Sequence, residues 1–144
     1  MKLLLQRVRE ARVEVDKTVK GQITQGLLVL VGIEKSDDAT VIKRAAQRLL
    51  GYRVFADNHN KMNLNVMDVH GGVLAISQFT LAAQTSKGLR PSFSSAMAPE
   101  QAREIYELFI ATLRQQYPHI ETGVFGADMQ VHLVNDGPVT FLLE

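Results

Sequence analysis

Two short segments of this 144-residue chain bring together residue types that can do chemistry. The first is Ser77-Gln78-Phe79-Thr80-Leu81, where polar side chains arrive as the apolar run from Val73 to Ile76 stops. Hydroxyls and newly unpaired backbone N–H groups at a strand end can hold an anion or a carbonyl oxygen. Capping of the strand is the plainer use of the same residues, and pattern alone favours it. The second segment is Asn135-Asp136-Gly137-Pro138-Val139-Thr140. Asp-Gly between two alternating runs signals a hairpin turn, and pattern alone favours a turn and nothing more. Yet Pro138 directly after Gly137 is unusual in a two-residue hairpin, because it removes a donor and disturbs the incoming strand. X-Pro bonds tolerate the cis form. A cis Gly137-Pro138 would aim main-chain carbonyls outward, with no Gly137 side chain in the way. That is a means of recognising a ligand by main chain alone, and the sequence leaves the isomer open.

Other chemistries lack their residues. There is no cysteine, so thiolate zinc sites, disulfides and cysteine nucleophiles are excluded. Walker A, G-x-G-x-x-G and G-x-S-x-G patterns are missing. The histidines are His59, His70, His119 and His132, none with H-E-x-x-H spacing, so no metal and no cofactor is expected. His132 is expected to face away from Met129, Val131 and Leu133 on its strand, more as a structural residue than a catalytic one. No pair of carboxylates stands out as an acid/base couple.

The elements that must position these segments follow from periodicity. Leu3-Leu4-Leu5 and then Val8, Val13 and Val15 predict two early strands, with Arg12–Asp16 alternating polar and apolar. Gly26–Ile33 is apolar on both faces and reads as a central strand. Ser36-Asp37-Asp38 offers capping chemistry for a helix whose stripes are Val41, Ala45, Leu49 and Ile42, Ala46, Leu50. Lys43, Arg44, Gln47 and Arg48 face out, and Gly51 is expected as the stop after the helix. A short strand at Tyr52–Phe55, a turn at Asp57–Asn60 and a buried strand at Val73–Phe79 follow. Gln84–Ala98 is the longest loop, and loops of that length are often functional. Pro99 suits the first turn of a second helix, with Ala102, Ile105, Phe109 and Leu113 buried and Leu108 beside them. Two final strands are expected, Met129–Val134 and Val139–Leu143. Strands outnumber helices without a repeating βαβ order. The fold class is therefore α+β, with two helices packed on one side of layered, largely antiparallel sheet. No linker or repeat divides residues 1–144, so one domain is expected.

Charge and hydropathy set the surroundings. Lys and Arg number 16 against 15 Asp and Glu, a net +1, so the whole chain does not attract polyanions strongly. The sum hides a split: residues 1–72 carry 12 basic and 8 acidic side chains (+4), and residues 73–144 carry 4 and 7 (−3). Lys43, Arg44, Arg48, Arg53, Lys87 and Arg90 are candidates for phosphate contacts, though a solvated face explains them equally well. The N-terminal Met1–Leu5 begins like a signal peptide, but Gln6, Arg7 and Arg9 end the apolar run at once. No stretch approaches a membrane span. A soluble, unexported, cytoplasmic protein is the expectation.

At the two segments the sequence resembles a known family. Ser77-Gln78-Phe79-Thr80-Leu81 and Asn135-Asp136-Gly137-Pro138-Val139-Thr140-Phe141 resemble the signature motifs of the D-aminoacyl-tRNA deacylases. Gln6-Arg7-Val8, Gly26-Leu27-Leu28-Val29, Lys61-Met62-Asn63-Leu64, Arg90-Pro91-Ser92-Phe93 and Asp128-Met129-Gln130-Val131 match the family in order, over the whole chain. The resemblance implies an α+β homodimer that hydrolyses the ester joining a D-amino acid, or glycine, to the 3′ end of tRNA. It implies that the Gly137-Pro138 bond is cis, that the pair enters the active site of the other subunit to reject L-aminoacyl groups, and that Arg7 braces it. Ser77, Gln78, Phe79 and Thr80 would form the catalytic segment, with N–H groups near Phe79 and Thr80 as oxyanion donors. Thr80 has no base beside it in sequence and is a weak nucleophile. Assistance from the 2′-OH of the terminal adenosine is expected instead. The alternatives are a related deacylase that clears L-alanine, a non-catalytic tRNA-binding dimer, and a general esterase using Thr80.

Overall fold

A computed structural model describes every residue from Met1 to Glu144. The chain forms β1 (Lys2–Val15), β2 (Thr18–Ile23), β3 (Gly26–Gly32), α1 (Ala39–Gly51), β4 (Phe55–Ala56), β5 (Met62–Leu64) and β6 (Gly72–Ser77). A 3₁₀ turn (Phe79–Ala82), α2 (Pro99–Gln116), β7 (Ile120–Thr122) and β8 (Gln130–Leu143) complete it. The main sheet runs β2-β1-β3-β6-β7, with β8 on the other side of β1; β4 and β5 pair separately. Pairings of β1 with β2, β3 and β8 are antiparallel, and those of β3–β6 and β6–β7 are parallel. The α+β reading with a largely antiparallel sheet and two helices therefore holds.

Alternation along the strands divides the core. Leu3, Leu5, Leu27, Val29, Val73 and Ala75 meet both helices on one face. Leu28, Leu74 and Ile76 point the other way and pack with Val8, Val13 and Ile23. Helix α1 starts where Asp38 accepts the Thr40 and Val41 N–H groups, each at 2.9 Å. Such a cap is worth about 1 kcal/mol. Ile42, Ala46, Leu49 and Leu50 make its buried stripe.

Several local expectations need correction. The two early strands are one continuous β1, and β2 follows it where the sequence shows little apolar alternation. Gly51 is the last helical residue, not the stop after it; Tyr52 ends α1 in extended conformation. The short strand begins at Phe55 rather than Tyr52. In α2, Ala102, Phe109 and Leu113 are buried as expected and Ile105 partly so, but the buried face also takes in Tyr106 and Ile110 and leaves Leu108 exposed. The Asn135–Pro138 hairpin does not form. Both halves of the expected pair belong to β8 and pair with the same strand, β1.

Asp37 is the one buried charged side chain. It accepts the Met1 ammonium at 2.5 Å and the Glu34 N–H at 2.8 Å. The ammonium also reaches Glu34 at 3.0 Å. Removing Asp37 leaves the buried ammonium with Glu34 alone and the Glu34 N–H without its acceptor. Asp37→Ala should therefore lower unfolding free energy by about 3 kcal/mol, read as a shift of the urea midpoint. An unchanged midpoint would show that this pair contributes nothing to stability.

Candidate active site

The Ser77–Thr80 segment sits where β6 ends and the 3₁₀ turn begins. Two tyrosines of the second-helix region fasten β6 in place. Tyr106 donates its hydroxyl to the Ala75 carbonyl at 2.9 Å, and Tyr117 donates to that of Gly71 at 2.7 Å. Burial pushes both phenols up from their ordinary pKa, so both stay protonated donors. On the neighbouring strand, the Gln78 N–H donates to the Val31 carbonyl at 2.8 Å and extends the parallel pairing one residue past Ser77. The next two N–H groups, of Phe79 and Thr80, make no backbone hydrogen bond. They open a 3₁₀ turn, whose first donors have no carbonyl ahead of them. The Gln78 Nε2 donates to Thr80 Oγ1 at 2.6 Å.

The segment up to Phe79 borders a cleft of about 430 Å³, and Thr80 stands just outside its lining. Ser77, Gln78 and Phe79 form one wall, and Phe125, Met129 and Val131 lie among the others. No lining residue carries a titratable side chain. The groups whose pKa is displaced, Glu14, Asp57, Tyr106 and Tyr117, all lie outside it. The cleft therefore offers hydrogen-bond donors and apolar walls, and no acid or base of its own. A larger cavity of about 670 Å³ opens between β1, β2 and β8 and includes His70, His119 and His132. No three His, Asp or Glu side chains in the molecule stand close enough together to hold a metal ion. His132 instead faces Glu14 at 3.7 Å on the exposed side of its strand.

The second segment forms a bulge. Gln6 pairs with Thr140 and Val8 with Asn135, so Arg7 alone faces Asp136–Val139 across the ladder. The four residues loop outward, with Gly137 and Pro138 exposed and Val139 buried. Their peptide bond is cis, and Gly137 has φ +135°. Arg7 Nε donates to the Asp136 carbonyl at 2.9 Å, and Nη1 donates to that of Val54 at 2.6 Å. From the other side, Asn135 Oδ1 accepts the Val139 N–H at 2.8 Å, and Asn135 Nδ2 donates to Thr140 Oγ1 at 2.9 Å.

Arg7, Gly137 and Pro138 thus come together, and so do Ser77, Gln78, Phe79 and Thr80, but the two groups stand apart. Arg7 is opposite Leu27, Leu27 opposite Val73, and Ser77 opposite Val31. Three strand spacings and four residues of rise then separate bulge and cleft by roughly 19 Å along the sheet.

A family model described as D-Tyr-tRNA(Tyr) deacylase matches residues 4–144. The chain belongs to the D-Tyr-tRNA(Tyr) deacylase family. Proteins called D-aminoacyl-tRNA deacylase from Teredinibacter turnerae and Pseudomonas aeruginosa are each 58% identical to it over 144 residues. Each alignment covers 100% of this chain and 99% of the relative. A solved structure described as c-Myc DNA Unwinding Element Binding Protein superposes with TM-score 0.96 at 41% identity, over 100% of this chain and 98% of that one. Another, described as a probable eukaryotic D-amino acid tRNA deacylase, shares the fold with TM-score 0.86 at 15% identity, over 99% and 97% of the two chains.

For this member of the D-Tyr-tRNA(Tyr) deacylase family, the far walls of the cleft are what sequence reading missed. Phe125, Met129 and Val131 approach Ser77 only through the fold, and their spacing carries no local signal. The run Asp128–Val131 stood out as a family match without a stated role. Two of its residues, Met129 and Val131, line the cleft with Ser77–Phe79, while Asp128 and Gln130 do not.

Proposed function

We propose that this chain is an aminoacyl-tRNA editing hydrolase that cleaves the ester between a D-amino acid, or glycine, and the 3′ end of tRNA. Water adds to the ester carbonyl carbon, and the bond to the ribose oxygen breaks. That oxygen takes a proton, leaving a free amino acid and tRNA. The Phe79 and Thr80 N–H groups are the donors for the developing oxyanion. The observation that carries this reading is the cleft without a titratable side chain. A site that lacks its own base suits a substrate that brings one: the terminal ribose 2′-OH lies next to the scissile ester and can orient the water. The decisive experiment compares D-aminoacyl-tRNA ending in adenosine with the same tRNA ending in 2′-deoxyadenosine. The 2′-deoxy substrate should bind and be cleaved at least 100-fold more slowly. Equal rates would refute RNA assistance.

Thr80 positions rather than attacks in this scheme. Its only side-chain partner is the Gln78 amide, which is too weak a base to take its proton. Thr80→Ala should therefore slow single-turnover hydrolysis only about three- to tenfold. Complete loss with intact binding would make Thr80 the nucleophile, and the general-esterase reading would then gain.

The Gly137-Pro138 bulge is the chirality filter, acting in the cleft of a second copy. A path of roughly 19 Å along the sheet sets a chain's own bulge away from its own Ser77–Thr80 segment. Exposed Val134, Phe141 and Leu142 on the same strand favour burial against another chain. In the homodimer, the Gly137 and Pro138 carbonyls face the substrate α-carbon. An L side chain would meet them, a D side chain points away, and glycine has none. The filter needs no contact with the amino-acid side chain, so it accepts many D-amino acids. Residues 1–144 act as one domain, in the cytoplasm where charged tRNA is used. No helix is long and apolar enough to cross a membrane.

A second reading draws on the 41% identical structure, whose description names DNA-element binding. It makes the chain a nucleic-acid-binding dimer without catalysis. Tight tRNA binding with no release of amino acid would favour it. Clearance of L-alanine from mischarged tRNA, with D substrates spared, would favour the related L-alanine deacylase.

A further inference from the structure

Directly after the 3₁₀ turn, the chain makes an excursion that the cleft does not use. Gln84 and Ser92 exchange backbone hydrogen bonds at 2.7 and 3.0 Å, closing a small hairpin. Gly88, at φ +70°, turns the tip. The tip holds Lys87, Leu89 and Arg90, all exposed, and neither cation has an ion-pair partner. Residues 69–99 contain no Asp or Glu, although the second half of the chain is acidic overall. Half of that half's four basic residues, Lys87 and Arg90, therefore sit on this one hairpin. Its base is tied to the site. The Ser95 hydroxyl donates to the Ala82 carbonyl, and the Phe93 ring lies 5.1 Å from that of Phe79, a cleft residue. Phe79 is 62% exposed and Phe93 41%.

We infer that the hairpin 84–92 grips the single-stranded RNA just upstream of the terminal nucleotide. Lys87 and Arg90 take backbone phosphates, and Phe93, beside Phe79, offers a face to a base. This inference rests on the proposed function, because it places the terminal nucleotide at the cleft that Phe79 borders. Unpaired cations and exposed aromatic rings on one short stretch of chain are the two parts that single-strand binding needs. Phosphate contacts set affinity and register without reading sequence, as an enzyme serving many tRNAs requires. The acid-free stretch keeps like-charged carboxylates away from the path of the strand.

The test uses the full chain with Lys87→Gln and Arg90→Gln combined, neither residue lying in the cleft. Two substrates are compared: D-aminoacyl-tRNA, and D-aminoacyl-adenosine, which lacks upstream phosphates. For tRNA, KM should rise about tenfold with kcat unchanged, since the lost contacts are present in ground and transition states alike. The slope of log KM against log salt should flatten by about 1.4, at roughly 0.7 per phosphate contact on a single strand. Kinetics on aminoacyl-adenosine should stay within twofold. An unchanged KM and salt slope for tRNA would overturn the inference. So would equal losses on both substrates, or dissociation of the dimer by the double substitution, which would make the tip a protein contact. Binding of uncharged tRNA, followed by fluorescence anisotropy, reads the same slope without chemistry. If the wild-type chain cleaves neither substrate, the proposed function fails, and the anisotropy slope still decides the hairpin's role.

Discussion

Gly137→Ala should abolish most of the discrimination between D- and L-aminoacyl-tRNA. Gly137 has φ +135°, a conformation that side-chain-bearing residues rarely adopt. An added Cβ would stand 2.8 Å from Val139 Cγ2, 3.0 Å from Arg7 Nη2 and 3.2 Å from the Val139 nitrogen. Val139 is buried, and the Arg7 guanidinium is held by the carbonyls of Asp136 and Val54, so neither can retreat freely. The bulge must move instead, and the carbonyls of residues 137 and 138 move with it. Strain of this kind costs about 1–3 kcal/mol. Displacements near 1 Å cost on the order of 100-fold in a positioned reaction. The ratio of D to L single-turnover rates should fall at least tenfold, and kcat/KM for D substrates about 100-fold. A folded variant with an unchanged ratio would remove the bulge from the filter.

Arg7→Ala should have the next largest effect, by the same route and without touching the bulge chemically. Arg7 is the lone β1 residue facing Asp136–Val139, and its side chain is only 15% exposed. Its loss leaves the Asp136 and Val54 carbonyls without their donors. Hydrogen bonds to a charged group contribute about 1.5–3 kcal/mol each, so a loss near 3 kcal/mol in stability is expected. Discrimination should weaken by about tenfold once the bulge is released from this side. Arg7→Lys keeps a charge but cannot span both carbonyls with one planar fork, and should recover only part of either property. Urea midpoints and D-to-L rate ratios, measured on the same preparations, separate the two effects. Full discrimination in a destabilised Arg7→Ala variant would make Arg7 structural only.

Local signals were readable and long-range ones were not. Helix α1 follows from its stripe and from Asp38, because capping and burial both act within a few residues. The stripe of α2 is legible at Ala102, Phe109 and Leu113, but not its extension to Tyr106, whose hydroxyl finds Ala75 only through the fold. The outer strand β2 is Thr18-Val19-Lys20-Gly21-Gln22-Ile23, too polar to show alternation. Asn-Asp-Gly-Pro has turn chemistry in either a hairpin or a bulge. The difference lies in which strand the following residues join, and that partner is β1, more than 120 residues away. In the site, Ser77–Thr80 is visible as polar residues ending an apolar run, whereas the other walls include Phe125, Met129 and Val131, which only the fold brings there. The link from Arg7 to Asp136 spans 129 residues and entered only through the family resemblance.

In the proposed function, main-chain carbonyls of one copy sort aminoacyl groups by chirality in the cleft of the other. The most direct test of this sorting is single-turnover deacylation of matched D-, L- and glycyl-tRNAs that share one tRNA body. The D and glycyl esters should be hydrolysed, and the L ester should remain at its spontaneous rate. Hydrolysis of the L ester as fast as the D ester would contradict the account.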